Sequence, residues 1–211
     1  MRLPGLAIGL SLVIVGLQLA GSIDHASYLF LQQHFALAWP DLARLEVHRI
    51  MVSPLIQTSA GFSPTVTGLV IVAIPLAELR GGAIGLGLAF FGSDWLSTIP
   101  ILLLLKLAGD FGNDSAAALA ARPDSGSSSG GFGCLAFACV TLPLRWRVAG
   151  LGGFAVYFAV RLTGWHELSD FQHLAATLLG LGSGWLLTGN SVLPEPRKSR
   201  GAQRISSAPH L

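Results

Sequence analysis

The sequence predicts an all-α membrane protein of six transmembrane helices, and three observations carry that expectation. Only 11% of the 211 residues are charged and 52% are hydrophobic, whereas a soluble domain carries about 25% charged residues. Apolar runs separated by Pro, Gly and short polar stretches recur along the chain. Lysine and arginine gather on alternate connections, as the bias of membrane proteins for cationic cytoplasmic loops requires. The length suits one compact domain, assigned to residues 1–189, and the polar stretch 190–211 reads as a disordered basic cytoplasmic tail.

The first apolar run, Leu3 to Ala20, follows Arg2 and ends in the small residues Ala20-Gly21-Ser22. It exceeds the ~7–15 apolar residues of a signal peptide, so it reads as an uncleaved first span. Residues 23–57 mix charge with short apolar clusters, Tyr28 to Leu31 and Phe35 to Trp39, which suit pieces lying at the membrane interface. The second span, Phe62 to Leu79, has Pro64 in its first turn. Pro75 predicts a kink, and Glu78, Arg80 and Gly81-Gly82 close the span. Ala83 to Leu107 is the third span, with Asp94 inside and Lys106 at its outer end, and 108–127 reads as a mostly polar loop. The fourth runs from Ser128 to Leu142, the fifth from Val148 to Leu162 and the sixth from Phe171 to Leu187. Cys134 and Cys139, five apart in one apolar run, lie on different faces of a helix and read as small core or lipid-facing residues.

With both termini cytoplasmic, Arg2, Arg80, Arg145, Arg147 and the cationic tail fall inside. The starts of the fourth and sixth spans then lie together on the outer side, which sets Ser128 and His173 at similar depth. The fourth span is short: about 15 residues at ~1.5 Å each cover about 22 Å of a ~30 Å hydrocarbon core. Its glycine-rich approach, Asp124 to Gly133, must therefore dip into the bilayer, where irregular backbone is tolerated only inside protein or beside water. A serine at a helix N-terminus has free backbone N–H groups beside it, which suit an oxyanion, but it needs a base to become a nucleophile. His173 is that base. Small residues on both helices permit the close approach the pair needs.

Gly126-Ser127-Ser128-Ser129-Gly130-Gly131-Phe132-Gly133 resembles the Gly-x-Ser-Gly-x-x-(Tyr/Phe)-Gly motif of rhomboid intramembrane serine proteases. His173-Leu174-Ala175-Ala176 with Gly180 resembles that family's His-Leu-Gly-Gly-x-x-x-Gly motif, and Glu78-Leu79-Arg80-Gly81 is also similar. The resemblance implies a rhomboid-like bundle in the cell membrane with a Ser128–His173 dyad that cleaves transmembrane segments of substrate proteins. It implies supporting roles for Gly126, Phe132, Gly133 and Gly180. Register selects Ser128 over Ser129, because only Ser128 has an aromatic four residues on and a glycine two residues back. Ser129 departs from the family's glycine. The His and Asn that rhomboids place in the second span as oxyanion donors are absent from Phe62-Ser63-Pro64-Thr65-Val66, leaving Gln57 and Thr65 as candidate substitutes.

Two other readings stay open. One is a rhomboid-like protein that binds membrane helices without cleaving them. The other is a small transporter built around Asp94, an ionisable group inside a span; the plainer expectation is that Ser93, Trp95 or Ser97 satisfies this carboxyl. Expected partners are transmembrane substrates and the lipid bilayer, with no nucleic acid. No motif points to a metal or a cofactor, and the basic tail suits anionic headgroups.

Overall fold

Why the chain turns back on itself at Gly81-Gly82 is the first question the architecture answers. The computed structural model describes residues 3–57, 63–164 and 168–189, all of whose regular structure is helical. The expected start of the second span at Phe62, His166 and the tail 190–211 lie outside the described residues. Ten α-helices follow in order: α1 (Gly5–Ile23), α2 (His25–Phe35), α3 (Trp39–Ala43), α4 (Val47–Val52), α5 (Pro64–Gly87), α6 (Ser93–Asp110), α7 (Asp114–Ala121), α8 (Ser128–Val140), α9 (Leu144–Leu162) and α10 (Leu168–Gly189). A short π-helical segment, Leu88–Gly92, joins α5 to α6. Among the described residues, two helical stretches are long and apolar enough to cross a membrane, Gly5–Ile23 and Pro64–Asp110.

The second of these stretches, 47 residues long, is not one rod. Gly82 has φ +64° and ψ −167°, a backbone state that side-chain-bearing residues avoid. Neighbours along α8 give the directions on either side of it. Gly131 meets Leu69 and Phe137 meets Gly81, so the first half of α5 runs parallel to α8. Phe137 also meets Gly85, Gly133 meets Ala89 and Gly130 meets Phe90, so the next segment runs the opposite way. The division expected at Gly81-Gly82 is therefore present. The kink expected at Pro75 is not seen as a backbone departure: Gly82 alone leaves helical φ/ψ within α5.

Helix α1 lies antiparallel to the first half of α5. Ser11 Oγ donates to the Val70 carbonyl at 2.9 Å. Further along α1, Gln18 Oε1 accepts from Ser63 N at 3.2 Å and from Thr67 Oγ1 at 3.4 Å. At the other end Glu78 Oε2 accepts from Ala7 N at 2.5 Å. Ala7 N is one of the first-turn amides that a helix leaves without an internal partner, and a carboxylate is the favoured group there. Glu78→Ala should destabilise the protein by about 1.5–3 kcal/mol, the range for hydrogen bonds to charged groups. Glu78→Gln, which keeps an acceptor, should recover part of the loss in a thermal melt of the detergent-solubilised protein.

Helix α8 is the core. All its residues from Ser129 to Cys139 are buried except Leu135, the pattern of a helix surrounded by neighbours. It is also parallel to α10: Ser128 meets His173, Gly133 meets Gly180, and Phe137 meets Gly184. Cys134 is fully buried among core residues and Cys139 lies near the α8–α9 side; both thiols are free. Helix α9, in contrast, has no buried residue from Leu144 to Arg161 and rests mainly against α8.

The expected loop at 108–127 contains a helix instead. Asn113 Oδ1 accepts from Ala116 N at 3.0 Å, and this N-cap opens the alanine-rich α7, where helix propensity is highest. Polarity at Asp110, Asp114 and Asp124 obscured that signal. Lys106 pairs with Asp110 one turn further on.

Candidate active site

The first turns of α8 and α10 bring together the two residues singled out in the sequence. His173 Nε2 lies 2.9 Å from Ser128 Oγ, a distance at which the hydroxyl donates to an unprotonated imidazole nitrogen. Phe132, one turn beyond Ser128 on the same helical face, stacks on the imidazole with centroids 4.5 Å apart and planes at 22°. Both contacts depend on how closely α8 and α10 approach. A Cβ at Gly180 would run into the Gly133 backbone, and one at Gly133 would strike the Ala89 carbonyl and Ser93.

The loop that delivers Ser128 is pinned by backbone pairing. Leu37 and Asp124 exchange N–H···O bonds of 2.8 Å each, and Gly126 N donates to the Ser53 carbonyl at 3.1 Å. Gly126 has φ +147°, which explains glycine two residues before the serine. Gly126, Phe132, Gly133 and Gly180 thus all lie in the loop or the helix contacts around the pair.

Of the two candidate oxyanion donors, Gln57 lies beside the loop that delivers Ser128 and Thr65 does not. Gln57 Nε2 donates to Ser127 Oγ at 2.7 Å, with both residues buried. The Gln57 backbone carbonyl accepts from Tyr28 Oη and from Gln32 Nε2, both at 2.7 Å. Burial pushes the Tyr28 phenol up to about 12, so it remains a donor at any ordinary pH. The amide of Gln57 is thus committed to the residue preceding Ser128 rather than aimed at the attack position. Thr65 is exposed in the first turn of α5, because Pro64 opens that helix. It lines an apolar cavity of about 440 Å³ between α5, α8 and α9, together with Leu69, Phe132, Phe154 and Tyr157. Replacing Gln57 by Leu should leave Ser127 without its donor inside the protein, at a cost of about 1–3 kcal/mol. Thr65→Val should leave stability within about 0.5 kcal/mol of wild type, as surface changes do; chemical denaturation in detergent compares the two.

Asp94 corrects a second expectation. None of Ser93, Trp95 and Ser97 satisfies its carboxyl: Trp95 Nε1 donates to the Ile50 carbonyl, Ser97 Oγ to the backbone carbonyl of Asp94, and Ser93 Oγ has no partner among the described residues. The buried Asp94 instead faces a polar cavity of about 30 Å³ that also touches Asp124, Ser128, Ser129 and Gln172. This volume suits a single water. The loop thus supplies a second carboxylate, Asp124, to the cavity that Asp94 lines. Burial pushes the Asp124 carboxyl above its ordinary range, against the hydrogen bond donated by Gln172 Nε2 at 2.6 Å.

Sequence reading passed over Tyr28, Gln32, Ser53, Asp124, Asp170 and Gln172. For Gln172, adjacency to His173 was a usable signal, since a polar residue buried at a span's start needs a partner. Among the described residues no group of His, Cys, Asp and Glu is arranged to hold a metal ion. Chemically the site offers a hydroxyl on a base, a helix N-terminus beside it, a water-sized polar cavity and an apolar cavity on the other face of Phe132. No family model, no curated protein and no solved structure matches the chain.

Proposed function

We propose that this chain is a rhomboid-type intramembrane serine endopeptidase, with six spans, both termini cytoplasmic, and transmembrane segments of other proteins as substrates. The observation that carries the reading is the 2.9 Å approach of His173 Nε2 to Ser128 Oγ beneath the stacked Phe132 ring. The spans are α1, the two limbs meeting at Gly82, α8, α9 and α10. At 13 residues, α8 is about 20 Å long, so its N-terminus and Ser128 sit below the surface of a ~30 Å core.

Ser128 Oγ attacks the scissile carbonyl carbon while His173 Nε2 takes the hydroxyl proton. The oxyanion that forms faces the free N–H groups of the first turn of α8. His173 then returns the proton to the leaving amine as the C–N bond breaks, which leaves an acyl ester on Ser128. A water from the polar cavity, deprotonated by His173, hydrolyses the ester and restores the serine. The apolar cavity beside Phe132 and the lightly packed α9 give a substrate helix a lateral path from lipid to the dyad.

The uncommitted oxyanion position favours one alternative, a rhomboid-like protein that holds membrane helices uncut. Gln57 is bonded to Ser127 and Thr65 lines the apolar cavity. Reconstitution in liposomes with a panel of tagged single-span reporters separates the two. Cleavage by wild type that is lost in Ser128→Ala supports the protease. Equal co-purification of intact reporter with both proteins, without cleavage, supports the holder.

A further inference from the structure

We infer that Asp170 is a third member of the site, the acid that orients His173 and holds its proton on Nδ1. This inference rests on the protease reading above and departs from the plain dyad that the sequence resemblance implies. Two orphaned atoms lead to it. His173 Nδ1 and Asp170 Oδ2 are both buried, and neither has a hydrogen-bond partner among the described residues. One is a ring nitrogen that must carry a hydrogen if Nε2 is to accept from Ser128; the other is a carboxylate oxygen that can only accept. Three residues apart on α10, they share a helical face.

The carboxylate is built in rather than incidental. Asp170 is 1% exposed, and a buried charge persists only when paired. Its other oxygen, Oδ1, takes Arg161 from α9, at 2.7 Å from Nε and 2.5 Å from Nη2. Arg161 thus supports the negative charge and leaves Oδ2 for the imidazole. The charged groups around the ring are Asp170 on its own helix and Arg161 from α9; α8 presents the Ser128 hydroxyl and the Phe132 ring. Oδ2 and Nδ1 are not hydrogen-bonded in this structure, but the Asp170 charge acts on the ring without substrate, and hydrogen bonds of this kind are commonly long in a free site. The consequence is that an acid fixes the imidazole tautomer and stabilises the imidazolium formed when Ser128 attacks. Asp170 acts through His173, so it is a positioning residue.

The test uses the full chain in detergent, labelled with ¹⁵N-histidine, the His173 signals being assigned by their loss in His173→Gln. Wild type should show His173 with its hydrogen on Nδ1. Asp170→Asn, whose amide donates where the carboxylate accepted, should move that hydrogen to Nε2. It should also slow fluorophosphonate labelling by at least about tenfold; the comparable change in a soluble serine protease costs about 10⁴-fold. Arg161→Gln separates orientation from mere anchoring of α9. It should leave the Nδ1 tautomer in place and cost far less rate than Asp170→Asn. An unmoved tautomer in Asp170→Asn, or equal losses in the Arg161 and Asp170 variants, would overturn the inference. The tautomer is read whether or not the protein cleaves anything. A shifted tautomer in a protein that no probe labels would therefore retain the Asp170–His173 pairing and reject the protease.

Discussion

On the proposed mechanism Ser128→Ala should abolish reporter cleavage, with a loss of about 10⁴-fold or more, while Ser129→Ala should keep most of it. The magnitude follows from removing the attacking atom of a nucleophile–base unit, whose members fail together rather than additively. His173→Ala should for that reason cost about as much as Ser128→Ala, and the double variant little more than either. The difference between the adjacent serines follows from helical geometry. Ser128 faces α10, where its Oγ meets His173 Nε2, and Phe132 four residues on covers the same imidazole. Ser129 is buried at 5% exposure and faces the water-sized cavity with Asp94 and Asp124. Its loss should disturb the water supply more than the attack, so a modest fall in turnover with acylation unchanged is the expected result. Burst-phase kinetics on a chromogenic ester check it, since they separate acylation from deacylation.

On the same mechanism Gly180→Val should inactivate the protein without touching either reacting residue. No side chain fits at Gly180, because its Cβ would overlap the Gly133 backbone. The two helices must then move apart or tilt. Overpacking of this kind costs about 1–3 kcal/mol of stability. The effect on chemistry is larger, because a displacement of about 1 Å between reacting groups costs about 100-fold. Gly182, where an added Cβ would meet nothing within 4 Å, supplies the control: Gly182→Ala should retain activity. Labelling rate and melting temperature measured on both variants check the contrast. Equal behaviour of the two would show that the α8–α10 approach does not position the pair.

Much of this arrangement was legible in the sequence, and the reasons are local. The break at Gly81-Gly82 could be read because two adjacent glycines close an apolar run beside Glu78 and Arg80. The start of α8 could be read because a serine- and glycine-rich turn runs straight into apolar residues. Placement of Ser128 and His173 at one depth followed from span counting and small-residue stripes, whereas Phe132 and the choice of Ser128 among the serines came from the resemblance to the rhomboid motif. What could not be read was which way a polar side chain points within an irregular segment. Gln57 and Thr65 looked equivalent as donors. Pro64 opens α5 and turns Thr65 outward, while Tyr28 and Gln32 draw Gln57 inward by its carbonyl. The second effect depends on where α2 packs, which no spacing encodes. Asp94 met the same difficulty, since its neighbour Asp124 arrives from a loop pinned by a backbone bridge to Leu37. Asp170 was passed over because it lies just outside the expected sixth span, Phe171 to Leu187; its partner Arg161 comes from α9.

The central claim is that Ser128 is a nucleophile activated by His173. Its most direct measurement is peptide mapping by mass spectrometry after exposure of the detergent-solubilised protein to a fluorophosphonate. The account predicts one adduct, on Ser128, absent from His173→Ala. An adduct on Ser129, or equal modification of wild type and His173→Ala, would contradict it.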